Sequence, residues 1–180
     1  MKLCFAIFIL IFFGCSGQSV TLNQEISREV AGGHLLFGKV ISITDGDTIT
    51  IKDVKNEEYR IRLGEIDAPE KSQEYGREST QVLKDLVLDK QVKVFWKKKD
   101  HFSWKTSDHQ AKIGRIIGGV YIDDRFINRE LVEQGAAWHY KEFSKDETLP
   151  VAENYAKENK YGLWAKPNPV APWNYRKRKN

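Results

Sequence analysis

The sequence is short of cysteine and of clustered metal-binding side chains. Cysteine occurs only at Cys4 and Cys15, so the chain after residue 15 can form no disulfide. No Cys/His cluster has the spacing of a zinc site, and the four histidines are scattered, at His34, His101, His109 and His139. Internal repeats and low-complexity tracts are also missing. These absences favour a domain held by a hydrophobic core rather than by disulfides or zinc.

Neither sign of charge dominates the composition. The 29 Lys and Arg residues exceed the 25 Asp and Glu residues by enough to give a net charge of +4. Hydrophobic residues make up 41% of the 180 residues, which predicts one soluble globular domain with tails. The mild positive charge suits a polyanionic partner such as nucleic acid but does not identify one.

Long apolar runs are missing except at the N-terminus, where residues 3–13 follow Lys2. Their length and pattern predict a signal peptide over residues 1–15, too short to span a bilayer. The Gly14-Cys15 end is similar to a bacterial lipoprotein box, which predicts lipidation of Cys15 and a membrane anchor. A plainly secreted protein is the alternative, and either address is extracytoplasmic. Residues 16–36 are polar and predict a flexible tether.

Apolar and polar residues alternate between residues 39 and 63, with breaks at residues 45–47 and 55–57. This pattern predicts three short antiparallel strands, and residues 91–96 and 115–122 predict two more. The segment 97–111 is polar, basic and aromatic, and predicts a long loop.

Helical periodicity and end signals predict three helices, over residues 73–88, 125–135 and 149–160. The predicted fold is therefore α+β with a mainly β core, a five-stranded Greek-key barrel of the OB type with three helices. The domain would span residues 37–165 and leave a basic, proline-rich tail over residues 166–180. That tail could bind nucleic acid, meet an anionic membrane surface, or be a disordered end.

The stretch RLGEIDAPE, residues 62–70, places one cation and two carboxylates at the end of a strand and its turn. Phosphodiester hydrolysis needs a hard cation, fixed positive groups and a carboxylate that acts on water. If the third strand folds back beside the first, Asp47 of the DGDT turn meets Asp67. Each residue also has an ordinary structural interpretation: turn aspartates bond to backbone, Arg62 is solvated, and Glu70 starts a helix.

The combination of motifs resembles the staphylococcal nuclease-like (thermonuclease) family over residues 37–165. The resemblance rests on DGDT at 45–48, R-L-x-x-I-D-A-P-E at 62–70, Tyr75-Gly76, Gly114-Arg115, INRELVEQGAAWHY at 127–140, and Gly-Leu-Trp at 162–164. Within the last long motif, Leu131, Trp138 and His139 are interpreted as packing residues rather than site residues.

The resemblance implies a role for each matching site residue. Asp47 and Asp67 would be carboxylate ligands of Ca²⁺, Ala68 a backbone-carbonyl ligand, Glu70 the general base or orienting partner of the attacking water, Arg62 and Arg115 the phosphate-binding groups, and Asp45 a support for the ligands. Ala68 stands where the best-known member has Thr, a change that a backbone ligand tolerates.

The implied function is a Ca²⁺-dependent nuclease that cuts DNA and RNA with little sugar or sequence specificity. A monomer without an obligate protein partner is expected. Two alternatives stay open: a non-catalytic nucleic-acid-binding module, and a surface lipoprotein that binds polyanions. In the segment 97–111, Lys97, Lys98, Lys99, Phe102 and Trp104 could follow a nucleic-acid backbone and stack on bases, or the segment could be a solvated loop.

Overall fold

The computed structural model describes residues 28–30 and 33–179. The predicted signal peptide, Cys15 and most of the predicted tether lie outside these residues. The strands are β1 (Arg28–Val30), β2 (Gly33–Asp45), β3 (Thr48–Lys52), β4 (Glu58–Leu63), β5 (Ile66–Asp67), β6 (Gln91–Lys99), β7 (Ser103–Lys105), β8 (Ala111–Ile113), β9 (Ile116–Ile122), β10 (Arg125–Phe126) and β11 (Trp138–His139). The helices are α1 (Gly76–Val87), α2 (Ile127–Glu133), α3 (Thr148–Glu158) and α4 (Pro172–Lys179).

Five strands close into a barrel, which confirms the predicted core architecture. Strand β2 pairs with β3 on one side and with β6 on the other, and β3 pairs with β4. The ring is completed by the antiparallel pair β6–β9 and the parallel pair β4–β9, in which Ile61 lies opposite Ile116. Register shifts in β2 after Val40 and Ile43 mark bulges, which bend the strand so that it can serve both neighbours.

The barrel interior is filled by the inward positions of the alternating strands. Buried side chains come from each of the five barrel strands, for example Val40, Ile49, Ile61, Val94 and Val120. The helices α1, α2 and α3 cover this core with one apolar face each, through Leu83, Leu131, Val132, Leu149 and Ala156 among others. Burial of these faces fixes α1 and α2 on the barrel and α3 on α2.

The prediction of a long loop over residues 97–111 is wrong in part. Strand β6 continues to Lys99, and β7 and β8 form an antiparallel hairpin. The hairpin turn closes through a 2.9 Å hydrogen bond from the Thr106 N–H to the Gln110 carbonyl. A 2.9 Å bond from the Ser107 N–H to the Glu58 carboxylate attaches the turn to β4. Polar composition concealed this hairpin because its anchors are hydrogen bonds rather than apolar contacts.

The fold extends beyond both predicted ends of the domain. Strand β2 begins at Gly33, before residue 37, and the eight-residue helix α4 follows the three predicted helices. Trp173 of α4 stacks on Tyr140, with ring centroids 5.2 Å apart and planes 4° from parallel. The C-terminal segment is thus packed against the domain. In the part of the chain that the structure describes, no helix is both long and apolar enough to cross a membrane.

Candidate active site

The turn between β2 and β3 brings its aspartates beside the end of β4. In the β3–β4 register Thr48 lies opposite Arg62, and the Leu63 N–H donates to the Asp47 carbonyl at 2.8 Å. Gly46 permits the same turn to approach α1 and Ala68, because a Cβ there would overlap the Ser79 hydroxyl and lie 2.7 Å from the Ala68 Cβ. The Ala68 N–H in turn donates to Asp47 Oδ2 at 3.0 Å, which ties the two turns together.

Arg62 lies between Asp47 and Asp67, and these three residues form the centre of an arginine–carboxylate cluster. Its Nη1 lies 2.9 Å from Asp47 Oδ2, and its Nη2 lies 2.8 Å from Asp67 Oδ1. The guanidinium also donates to the carbonyls of Leu63 at 3.1 Å and Ile66 at 3.2 Å. Charge-assisted bonds to several fixed acceptors restrict a planar guanidinium to one orientation. The expectation that Asp47 and Asp67 meet is therefore realised in the fold, with an arginine between them; their ligand role stays a prediction.

Glu70 lies on the irregular turn between β5 and α1. Its N–H donates to Gln73 Oε1 at 3.2 Å, and the Gln73 N–H donates to the Glu70 carbonyl at 2.8 Å. Gly76 begins α1 directly below, and a Cβ there would overlap the Glu70 carbonyl oxygen. The Glu70 side chain is 40% exposed, so its carboxylate faces solvent beside the buried Asp67.

A second arginine, which lies outside the motifs, completes the cluster. Arg176 of α4 lies 2.9 Å from Glu70 Oε1 through Nη1 and 2.7 Å from Asp67 Oδ2 through Nη2. In the sequence it is one of several basic residues in the C-terminal segment, and no local pattern marks it as different from its neighbours. Both oxygens of Asp67 thereby accept from a guanidinium, Oδ1 from Arg62 and Oδ2 from Arg176.

Arg115 stands one strand away from Arg62. In the described part of the chain its guanidinium pairs with Asp100, at 3.0 Å through Nε and 2.7 Å through Nη2. The parallel β4–β9 register places it beside Arg60, and the Phe102 ring lies 4.9 Å from Arg115 and 5.2 Å from Arg60. Burial lowers the pKa of Arg60, which the Asp45 charge partly offsets. Arg60 and Phe102 thus join the site's edge, and Arg115 is separate from the aspartate cluster.

Negative charge in the cluster is incompletely balanced. Burial, together with the charge of Asp47, raises the pKa of Asp45 to about 6. Burial also raises the pKa of Asp67, although Arg176 and Arg62 act in the opposite direction. A carboxyl group whose ionised form is disfavoured by a neighbouring carboxylate would be relieved by a bound cation.

The donor set fits a hard cation in chemistry. Carboxylate and carbonyl oxygens, which Asp47, Asp67 and Ala68 offer, are the ligands that Ca²⁺ takes. Asp45, whose pKa is raised by burial and by the charge of Asp47, lies on the same turn as Asp47. Among residues 28–30 and 33–179, however, no group of three or more His, Cys, Asp and Glu side chains is arranged to hold a metal. Arginines occupy the Asp67 oxygens instead.

The lysines predicted to contact nucleic acid are exposed at the end of β6. Lys98 and Lys99 lie opposite Ile117 and Ile116, so they neighbour the strand that Arg115 precedes. Trp104 belongs to β7, and its side chain lies outside the described part of the structure. His139 is 5% exposed, in agreement with the expectation that it packs.

Comparison with known proteins identifies the class and then the family. An Escherichia coli "Uncharacterized endonuclease" is 43% identical over 145 residues, covering 80% of this chain and 87% of that protein. A Haemophilus influenzae "Uncharacterized endonuclease" is 40% identical over 139 residues, covering 77% and 72%. The Arabidopsis thaliana "Staphylococcal-like nuclease CAN1" is 34% identical over 128 residues, covering 71% of this chain and 36% of that protein.

With the barrel and its arginine–carboxylate cluster, these likenesses define a hydrolase of the nuclease class. The family model described as "Staphylococcal nuclease homologue" matches residues 60–166. The chain belongs to the staphylococcal nuclease family. Nucleases of this family are generally Ca²⁺-dependent and act on nucleic acid.

Proposed function

We propose that this protein is a Ca²⁺-dependent nuclease that hydrolyses phosphodiester bonds of DNA and RNA outside the cytoplasm, as a monomer. The observation that carries the proposal is the meeting of Arg62, Asp47 and Asp67 at one barrel edge, with the solvent-facing Glu70 beside them. A cation site, a fixed guanidinium and a carboxylate that can reach the attacking water are the three requirements of metal-assisted phosphodiester cleavage.

Asp47, Asp67 and the Ala68 carbonyl would hold the cation. When bound, Ca²⁺ would polarise a phosphoryl oxygen and lower the charge of the cluster. Because the Asp47 side chain is 10% and the Asp67 side chain 1% exposed, such an ion would be held largely by the protein. Arg62 would then be released in part from the aspartates towards an incoming phosphate.

Glu70 would act on the water, since its carboxylate lies at the solvent side of the cluster. It would accept a proton from the water or orient it for attack on phosphorus. Arg62 and Arg115 would stabilise the charge that gathers on the phosphoryl oxygens in the transition state. Lys97, Lys98 and Lys99 would follow the flanking phosphates, an attraction that salt weakens.

The proposed contacts go to the attacking water and to phosphate groups, which DNA and RNA have in common. Low sugar and sequence specificity follows, because sequence is read through base edges and sugar through the 2′-hydroxyl. The proposed extracytoplasmic location rests on the predicted signal peptide and on Cys15, with free secretion as the alternative to a lipid anchor. Metabolic labelling with palmitate, compared between the wild type and Cys15→Ser, distinguishes the two.

The decisive experiment is digestion of plasmid DNA, single-stranded DNA and RNA by the purified protein in Ca²⁺, in Mg²⁺ and in EDTA. We expect cleavage that requires Ca²⁺ and falls by about 100-fold or more in Glu70→Ala and in Arg62→Ala. Arg77→Ala, which removes the same charge from an exposed position of α1, is the matched control and should cleave normally. Salt-sensitive binding without cleavage, equal in all four proteins, would replace this proposal with the binding-module alternative.

A further inference from the structure

The C-terminal segment, residues 166–179, is docked on the turn that carries Glu70. Gln73 Nε2 donates to the Val170 carbonyl at 2.5 Å, and the Tyr175 hydroxyl donates to the Ser72 carbonyl at 2.9 Å. Lys166 forms an ion pair with Glu74 at the far end of the same turn. Residues 68–75 belong to neither helix nor strand, so these contacts supply much of what fixes the turn.

The docking position of α4 is set by aromatic packing rather than by charge alone. Trp173 stacks on Tyr140 and meets the edge of Trp138, with ring centroids 5.7 Å apart. Ala171, just before the helix, is 5% exposed. Stacked and edge-to-face aromatic pairs add to the burial that holds such a helix in place. Arg176 therefore reaches the cluster from a fixed backbone.

The Arg176 guanidinium spans two carboxylates of the proposed site. Its two Nη groups donate to Asp67, which is 1% exposed, and to Glu70, which is 40% exposed, from one edge of the planar guanidinium. The hydrogen bonds that Arg176 donates to Asp67 and to Glu70 raise its pKa, so the group stays charged. A surface glutamate without such a partner would sample several rotamers, and the guanidinium removes that freedom.

We propose that Arg176 is a positioning residue for the nuclease reaction, holding the Glu70 carboxylate in a fixed relation to Asp67, and that α4 is a structural part of the active site. This inference rests on the function proposed above, since it gives Arg176 a role only through Glu70 and Asp67. Arg176 lies ten positions past the end of the match to the family, residues 60–166, so that match assigns it nothing.

The kinetic test compares Arg176→Ala and Arg176→Lys with Arg178→Ala, which removes the same charge from an exposed position of the same helix. At saturating Ca²⁺ we expect Arg176→Ala to lower kcat by about 10- to 100-fold, the cost of a misplaced catalytic group, with KM within about twofold. Lysine should restore part of the rate, and Arg178→Ala should match the wild type. A raised KM at constant kcat, an unchanged rate, or a faster enzyme would each overturn the proposal, the last by making α4 inhibitory.

A second readout does not depend on activity. Hydrogen–deuterium exchange of the metal-free protein reports on the amides of Glu70, Gln73 and Gly76, which bond within the turn. We expect about tenfold faster exchange at these amides in Arg176→Ala, and wild-type exchange there in Arg178→Ala, with the barrel amides unchanged in both. Equal exchange in all proteins would overturn the positioning role. An inactive wild type with this exchange pattern would refute the proposed reaction while leaving the contact of Arg176 with the turn in place.

Discussion

Asn128 offers a sharp test of how the barrel supports the site. It is fully buried in the first turn of α2. Its Oδ1 accepts from the Val120 N–H at 3.0 Å, and its Nδ2 donates to the carbonyls of Gly64 at 2.8 Å and Gly118 at 3.4 Å. One side chain thus joins α2 to β9 and to the end of β4, two residues from Arg62.

The expected cost of Asn128→Ala can be worked from these bonds. The Gly118 carbonyl keeps a second donor, the Gly64 N–H at 2.8 Å, so its loss is small. The Val120 N–H and the Gly64 carbonyl lose the partner that the side chain provides, at about 1–3 kcal/mol for each buried group. The sum is about 4 kcal/mol of unfolding free energy, which lowers the Tm by roughly 10 °C in a chain of this size.

Asn128→Asp keeps the side-chain shape and the acceptor for the Val120 N–H, but places an oxygen opposite the carbonyls of Gly64 and Gly118. At pH 7.5 we expect it to be less stable than Asn128→Ala, because a buried, unpaired carboxylate costs more than a missing amide. Below pH 5.5 the difference should shrink, since a protonated carboxyl can donate to Gly64. Folding buries this carboxylate without a counter-ion, so its pKa is higher in the native state than in the unfolded state and stability is lost as pH rises.

Urea unfolding followed by tryptophan fluorescence measures these free energies. Asn159→Ala is the control, because its amide donates once, at 2.9 Å, from an exposed position at the end of α3, and we expect a loss below about 1 kcal/mol. If Asn128→Ala unfolds within about 1 kcal/mol of the wild type, the reasoning about buried partners at this junction is refuted.

Three further changes test other parts of the structure. Gly76→Ala places a methyl group against the Glu70 backbone, whose carbonyl carbon would lie 2.8 Å from the new Cβ. We therefore expect the unfolding free energy, measured in urea, to fall by about 1–3 kcal/mol and cleavage to be at least tenfold slower. Arg62→Ala removes the arginine partner of buried Asp47 and leaves Asp67 with Arg176. We expect unfolding in EDTA to show a loss of about 3 kcal/mol in unfolding free energy, and added Ca²⁺ to recover part of it. Burial lowers the pKa of His139, so the unfolded state binds more protons near pH 6 and stability should fall as pH drops from about 7 to 5. His139→Leu should weaken this pH dependence in unfolding curves taken at successive pH values.

Each of these has a result that contradicts it. Wild-type cleavage and stability in Gly76→Ala would mean that the turn relaxes freely around a methyl group. Equal stability of Arg62→Ala with and without Ca²⁺ would separate the cation from Asp47 and Asp67. An unchanged pH slope in His139→Leu would assign the dependence to another group.

The first three barrel strands were predictable because their signals are local. Alternation and turn residues between positions 39 and 63 specify three strands within a short stretch. The motif at 62–70 likewise carries its cation and carboxylates within nine residues. The hairpin β7–β8 was not predictable, since its polar sequence gains structure from Glu58, 49 residues before Ser107.

Arg176 shows the same limit more strongly. Its partners Glu70 and Asp67 lie 106 and 109 residues earlier in the chain, and neither spacing nor composition connects them. Helix α4 contains Pro172 and many cations, a pattern typical of a tail. Its position depends on Trp173 meeting Tyr140 on another part of the surface. Tertiary packing, which a single sequence does not display, decides such an element.

The parallel pair β4–β9 joins distant parts of the chain and closes the barrel. Ile61 and Ile116 lie opposite each other in this pair, Arg62 lies on β4, and Arg115 directly precedes β9. Contacts so far apart in the chain form only after the entropy of closing a long loop has been overcome. Until β4 and β9 pair, Arg62 and Arg115, which would bind the same phosphate, are not held together. Recovery of cleavage during refolding should therefore lag behind the far-ultraviolet circular dichroism signal, and so time the closing of the barrel.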